Sequence, residues 1–273
     1  RRVKPGYMFV ALPGLQFNGA AFIDDAIKSG ASAILSVPNA KSDDAGITWI
    51  LDDYPGRVFP HVVARFFKKQ PDKIAAVTGT NGKTSVAFFT QQIWKHLGEK
   101  AASVGTLGIH SDEYQQETGL TTPDPVVIHQ ALSELCDHGV DHVVFEASSH
   151  GLDQRRLDGV NISAAAFTNL THDHLDYHHD LQDYFDVKSR LFTDFVSQHA
   201  ILNVLDSYGE KLWHRLSPAQ QKRAWVLCDD PTAYQKAAMW FSIKSLQVTP
   251  NGSEISLTSS AGPWQGTVPL YGY

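Results

Sequence analysis

The sequence predicts an α/β protein: a small N-terminal αβ domain over residues 1–70, then a doubly wound, mostly parallel P-loop sheet domain over 71–273 with an antiparallel C-terminal hairpin region. Three observations predict it. From Lys73 onward, apolar runs of strand length alternate with helix-length amphipathic stretches, the signature of parallel sheets built from strand–helix–strand units. One of those strands runs into Ala76-Val77-Thr78-Gly79-Thr80-Asn81-Gly82-Lys83-Thr84-Ser85, a glycine-rich loop that opens a helix. The tail alternates with period two around Asn251-Gly252, a tight-hairpin signal.

Taken in order, residues 7–12 (YMFVAL) and 32–37 (SAILSV) read as strands flanking a helix near 21–30, and a second helix covers 60–69. "KKQPDK" ends that unit. "KIAAVTG" is then a buried strand, followed by a helix from Lys83 that carries Val86, Phe89, Ile93 and Leu97 on one face. Strand 101–106, helix 125–138, strands 141–147 and 162–168, helix 181–196 and strand 199–205 follow. Ligands of such sheets sit at the carboxyl ends of the strands.

The bulk numbers exclude several classes. The 273 residues are 42% hydrophobic and 19% charged, with a formal charge of −6. That composition is globular, and the charge argues against nucleic acid or an anionic membrane as partner. Cys136 and Cys228 have no metal or disulfide spacing, which suits a reducing cytoplasm. No apolar run reaches the roughly 18–20 residues that span a bilayer. The opening "RRVKPGYMFVALPG" is too short in its apolar part for a signal peptide and is stopped by Pro13-Gly14. With no initial Met, the chain is expected to begin inside a longer protein.

The loop departs from the usual P-loop, G-x-x-x-x-G-K-[ST], because Val77 stands where the first glycine belongs. Phosphate binding needs inward backbone N–H groups at a helix N-terminus, a lysine and a hydroxyl for Mg²⁺. Gly79, Thr80, Asn81, Gly82, Lys83, Thr84 and Ser85 offer all three, so the loop reads as a shortened P-loop rather than a plain turn. Glu146, in "VVFEASSHG", ends a strand; it is either turned to solvent or, beside the P-loop, a Mg²⁺ ligand. "FTNLTHDHLDYHHD" carries His172, His174, His178 and His179. His172, His174 and Asp176 have the H-x-H-x-D spacing of zinc hydrolases, though Tyr177 replaces the histidine that should follow; a surface histidine loop is the plainer reading. Lys188 is either a solvated helix lysine or, with Tyr184, Leu191 and Phe192 around it, a partly buried amine kept neutral by desolvation.

Together, "TGTNGKTS", "LTTPD", "EASSHGLDQRR", "FTNLTHDHLDYH" and "DVKSRLF" resemble the Mur ligase family, and "VKPGYMFVALPGLQFNG" resembles its N-terminal domain. The resemblance spans nearly the whole chain and explains the short P-loop. It implies a cytoplasmic, monomeric ADP-forming amide ligase that uses ATP and Mg²⁺. Its substrates would be UDP-N-acetylmuramoyl-L-alanyl-D-glutamate and a diamino acid whose identity these residues leave open. Gly79 to Ser85 would hold ATP, with Lys83 on the terminal phosphates and Thr84 on Mg²⁺. Glu146 and His174 would ligate a second Mg²⁺, and Lys188, as a carbamate, would complete that site. Thr121, Thr122, Ser148, Gln154 and Arg156 would bind the muramoyl dipeptide, and Leu15, Gln16 and Phe17 would meet the UDP moiety. The family also has an Asp-Ser pair before the first arginine and a third, C-terminal domain, so the chain is expected to be cut at both ends. On that reading the chain by itself binds nucleotide and UDP-sugar without ligating. A folylpolyglutamate-synthetase-like ligase is the main alternative, and it is not expected to carry "LTTPD" with "SSHGLDQRR".

Overall fold

The structure, a computed structural model, describes residues 3–14, 18–41, 46–195 and 197–270. The N-terminal part runs β1 (Met8–Val10), α1 (Ile23–Lys28, entered through a 3₁₀ turn), β2 (Ala33–Ser36), β3 (Thr48–Leu51) and α2 (Pro55–Phe67). Its strands form a parallel three-stranded sheet in the order β1-β2-β3. β3 is absent from the sequence expectation because Thr48–Leu51 is a four-residue run, exposed at both ends. The helix expected over 60–69 starts earlier, at Pro55, and Pro60 lies inside it. Pro55, at the first helical position, forfeits only an N–H that has no helical partner.

The division expected at 70/71 falls between α2 and β4 (Lys73–Thr78). Then come α3 (Lys83–His96), β5 (Ala101–Gly105), β6 (Gly108–His110), β7 (Gln115–Gln116), α4 (Pro125–Asp137) and β8 (His142–Glu146). These are followed by α5 (Ser149–Asp153), β9 (Ile162–Phe167), α6 (Leu181–Thr193), β10 (His199–Asn203), α7 (Ser207–Arg215), α8 (Pro218–Gln221) and β11 (Trp225–Leu227). The tail forms β12 (Met239–Thr249), β13 (Gly252–Ser259) and β14 (Gly262–Val268). The sheet order is β14-β13-β12-β11-β10-β9-β4-β8-β5-β6-β7. Its run from β12 to β5 is parallel, and both flanks are antiparallel.

Strand alternation sends successive side chains to opposite faces. Ile74, Ala76, Val143 and Phe145 join the main core with Leu132 and Leu135 of α4 and Phe185 of α6. Val77 and Val144, one residue out of step, pack with Ala87 of α3. Of the α3 stripe, Val86, Ile93 (59%) and Leu97 (69%) are exposed and Phe89 is half-buried. The reason lies on the other side of the helix. Ala87 lets α3 approach the sheet closely, and Gln91 donates to the carbonyls of Ala101 and His110 and accepts from Ser103.

β4 is flanked by β8 and β9, so the loops after these three strands lie side by side at their carboxyl ends.

Candidate active site

The loop after β4 is shaped by two glycines. Gly79 has φ +148°, and a Cβ there would lie 1.9 Å from Thr168 Oγ1. Gly82, the N-cap of α3, has φ +84°. The segment after β9 pins the loop: Thr80 N donates to Asn169 O (2.8 Å) and Asn81 N to Asn169 Oδ1 (3.0 Å). Lys83 folds back over the loop, its Nζ donating to Gly79 O (2.9 Å) and Thr80 O (2.7 Å). Burial lowers its pKa, against the opposing pull of Glu146 and Asp173.

Glu146, at the end of β8, is 2% exposed, so the solvent-turned alternative does not hold. Its Oε2 accepts from Thr84 Oγ1 (2.7 Å) and its Oε1 from the backbone N of Thr106 (2.9 Å). Gly105 makes the room, since a Cβ there would lie 2.0 Å from Glu146 Oε1. Among the described residues no cation forms an ion pair with this carboxylate.

Lys188 is no solvated helix lysine. It is 1% exposed, donates to Gly79 O (2.9 Å) and lies 4.5 Å from the centre of the Tyr184 ring. Burial, and then the neighbouring Lys83, hold its pKa well below the usual lysine range. His174 takes a left-handed backbone (φ +53°) and sets its ring edge-on to His150, centroids 5.1 Å apart. The geometry gives the zinc reading no support. Among the described residues His172, His174 and Asp176 do not converge as a ligand set; the cluster that does is Glu99, Asp141 and His142.

One cleft of about 280 Å³ gathers Thr80, Asn81, Gly82, Lys83, Thr84, Thr121, Glu146, Ser148, His174 and Lys188. It also takes in Thr106, Ser149 and Tyr184, which the sequence reading did not assign. The signal for Thr106 was its place just past β5, beside β8; for Ser149, its position next to Ser148. Ser85 is exposed and Gly79 offers only its carbonyl; neither lines the cleft. Thr122 is 1% exposed, and its hydroxyl donates to Glu146 O (2.8 Å). Leu15, Gln16 and Phe17 lie outside the described residues.

The family description "Mur ligase middle domain" matches residues 77–273. The chain belongs to the Mur ligase family. Over 200 residues it is 48% identical to a UDP-N-acetylmuramoyl-L-alanyl-D-glutamate--2,6-diaminopimelate ligase of Brucella melitensis, covering 73% of this chain and 41% of that protein. Over 192 residues it is 50% identical to the ligase of the same name from Rhizobium meliloti, covering 70% and 39%. The chain therefore spans about two fifths of the length of these curated relatives. A solved diaminopimelate ligase structure superposes with TM-score 0.83 at 28% identity, over 100% of this chain and 55% of that one. A Mycobacterium tuberculosis folylpolyglutamate synthase complexed with ADP gives 0.61 at 16%, over 82% and 55%, a likeness of fold.

In this Mur ligase chain the donors suit Mg²⁺. Thr84 and Glu146 present hard oxygens, already together on one wall of the cleft, of the type that ion takes. The adjacent arginines diverge. Arg155 (φ +56°) turns to Asp158 (3.0 Å), while Arg156 donates to Thr122 O and Gln154 Oε1, both at 2.7 Å, beside the cleft.

Proposed function

We propose that the chain is the nucleotide- and acceptor-binding part of an ADP-forming ligase that adds a diamino acid to UDP-N-acetylmuramoyl-L-alanyl-D-glutamate, in the making of peptidoglycan precursors. The observation that carries this is the meeting of Lys83, Lys188 and Glu146 in one cleft at the carboxyl ends of β4 and β8. In the relatives the printed diamino acid is 2,6-diaminopimelate. On this reading residues 1–70 hold the UDP end and residues 71–273 hold ATP. The same reading makes the protein a cytoplasmic monomer; separately, among the described residues no helix is long and apolar enough to cross a membrane.

The chemistry has two steps. A carboxylate oxygen of the D-glutamyl end attacks the γ-phosphorus of ATP, the β–γ bridging bond breaks, and ADP leaves. The amine nitrogen then attacks the acyl phosphate carbon, the bond to phosphate breaks, and the amine releases a proton to solvent. Lys83 would leave its loop carbonyls for the terminal phosphates, while the backbone of 79–84 cradles them. Thr84 would hold one Mg²⁺, and Glu146, His174 and carbamylated Lys188 a second; bound there, the ions would supply positive charge against that of the phosphoryl group. The desolvated amine of Lys188 suits carbamylation: its nitrogen bonds to the carbon of CO₂ and loses a proton, leaving an anionic oxygen donor.

The test is coupled ADP release by the intact gene product with ATP, the UDP-muramoyl dipeptide and a diamino acid. A product heavier than the acceptor by the diamino acid less one water is expected. ADP release that ignores the acceptor would overturn the reading.

A further inference from the structure

We propose that Thr106 is a positioning residue: its backbone N and its hydroxyl hold the Glu146 carboxylate in the orientation that receives Mg²⁺. The inference rests on the metal placement in the ligase reading above and extends it one residue outward.

Thr106 stands where it does because of the turn it occupies. β5 and β6 are antiparallel with Gly105 paired to Gly108, so Thr106 and Leu107 form the tip of a tight hairpin. A two-residue tip leaves its backbone little freedom. On its other edge β5 runs parallel to β8, with Val104 beside Phe145. One residue further along each strand stand Gly105 and Glu146, and the glycine puts no side chain between the hairpin tip and the carboxylate. In the sheet β8 lies between β4 and β5, so Glu146 is gripped from both neighbours, by Thr84 after β4 and by Thr106 after β5.

Among the described residues three donors meet that carboxylate. Thr106 N donates to Glu146 Oε1 (2.9 Å), and Thr84 Oγ1 donates to Oε2 (2.7 Å). Thr106 Oγ1 donates to the same Oε2 over 3.4 Å and lies 3.1 Å from Thr121 Oγ1. A threonine hydroxyl has one hydrogen to give, and an ionised carboxylate only accepts. Both contacts of Thr106 Oγ1 are therefore hydrogen bonds in one direction alone, with Thr121 donating to Thr106 and Thr106 to Glu146. In the ligase reading Thr84 is itself claimed by Mg²⁺. Thr106 is then the anchor that stays with the protein, and it also ties the carboxylate to Thr121 across the cleft wall. A ligating carboxylate held by such outer hydrogen bonds binds its ion more tightly than a free one, because it has nothing left to reorganise.

The test sets Thr106→Val, which keeps the shape and the backbone N but loses the hydroxyl, against Thr106→Ser, which keeps the hydroxyl, in the intact gene product. Mn²⁺ stands in for Mg²⁺, with a nonhydrolysable ATP analogue present and no acceptor, and free ion is read by electron paramagnetic resonance. For Thr106→Val the Mn²⁺ Kd should rise about three- to tenfold, the loss of one long hydrogen bond to a charged group. Thr106→Ser should stay within twofold of wild type. In turnover, the Mg²⁺ concentration that gives half-maximal ADP release should rise by the same factor for Thr106→Val, and excess Mg²⁺ should recover most of the rate. A role in the hairpin alone would lower Tm and leave the Mn²⁺ Kd unmoved. That result, or equal shifts in Kd for the valine and serine variants, would overturn the proposal. If valine prevents folding, Thr106→Ala gives the same comparison. Wild type that binds no more Mn²⁺ than the analogue alone would sink the metal placement and this proposal with it. Wild type that binds the ion beside an indifferent Thr106→Val sinks the threonine alone.

Discussion

The two ends of the central sheet treat polar groups in opposite ways. At the amino ends, charged side chains stand in or near water and pair with one another. Lys95 meets Asp112, Lys69 meets Asp137, and Lys100 lies 3.6 Å from Glu113. At the carboxyl ends, Glu146 and Lys188 are almost wholly buried, and the Ser149 hydroxyl has no partner among the described residues. Paired charges in water add little. Buried groups left short of partners weigh against the fold until a ligand arrives, which is how a site differs from a surface.

Substitutions at the two ends should separate accordingly. The largest effect is expected for Lys83→Ala, which should cut phosphoryl transfer by roughly 10²–10³-fold, as for loss of a charge-stabilising donor, and weaken nucleotide binding with little change in Tm. Isothermal titration with a nonhydrolysable ATP analogue checks this; unchanged affinity would remove the P-loop assignment.

Lys188→Ala should lose most activity, and added acetate or formate should restore part of it by replacing the missing anionic oxygens. Rescue by a small amine instead would show that Lys188 works as a cation. Stability supplies a second readout through Lys188→Met in buffer purged of CO₂. The folded pKa of Lys188 lies below its unfolded value, so the unfolded chain binds the proton more tightly. Wild-type stability should then fall relative to the Met variant as pH drops below about 10.5, and the gap should level off beneath the folded pKa. A gap constant across that range would mean that the amine titrates normally.

A smaller effect is expected at the arginines. Arg156→Lys should raise the acceptor KM several-fold, because its planar fork spans Thr122 O and Gln154 Oε1. Arg155→Lys, at a residue turned to Asp158, should change it less than about twofold. Equal shifts in steady-state KM would contradict the placement of Arg156. The smallest effect belongs to the amino end: Asp112→Asn should cost less than about 1 kcal/mol in urea titration. A larger loss would erase the contrast between the two ends.

The sequence shows the site better than it shows the packing. β4, β8 and β9 are apolar runs that each end in a polar motif, so the strands and their loops were legible together. β3, β6 and β7 are too short to leave a period. The stripe on α3 was visible, but which side of an amphipathic helix meets the sheet depends on its neighbours, and here alanine and a hydrogen-bonded glutamine won over four larger apolar residues. Zinc spacing in the histidine loop was plain in sequence, but among the described residues His172, His174 and Asp176 do not come together as a ligand set. Thr106 was hidden in a hairpin tip; only the hydrogen bonds in three dimensions tie it to Glu146.

Gly105 carries a consequence for how this fold tolerates change. It has no side chain, yet a single added carbon would lie 2.0 Å from Glu146 Oε1. An alanine-scanning survey that skips glycines would leave this position blank, while a saturation library would mark it as intolerant to every residue larger than hydrogen. Variants there should express and fold, since the neighbouring carboxylate can swing aside, and still fail in any selection for growth. Mutational tolerance, mapped position by position, would thus trace the outline of the carboxylate onto the neighbouring strand.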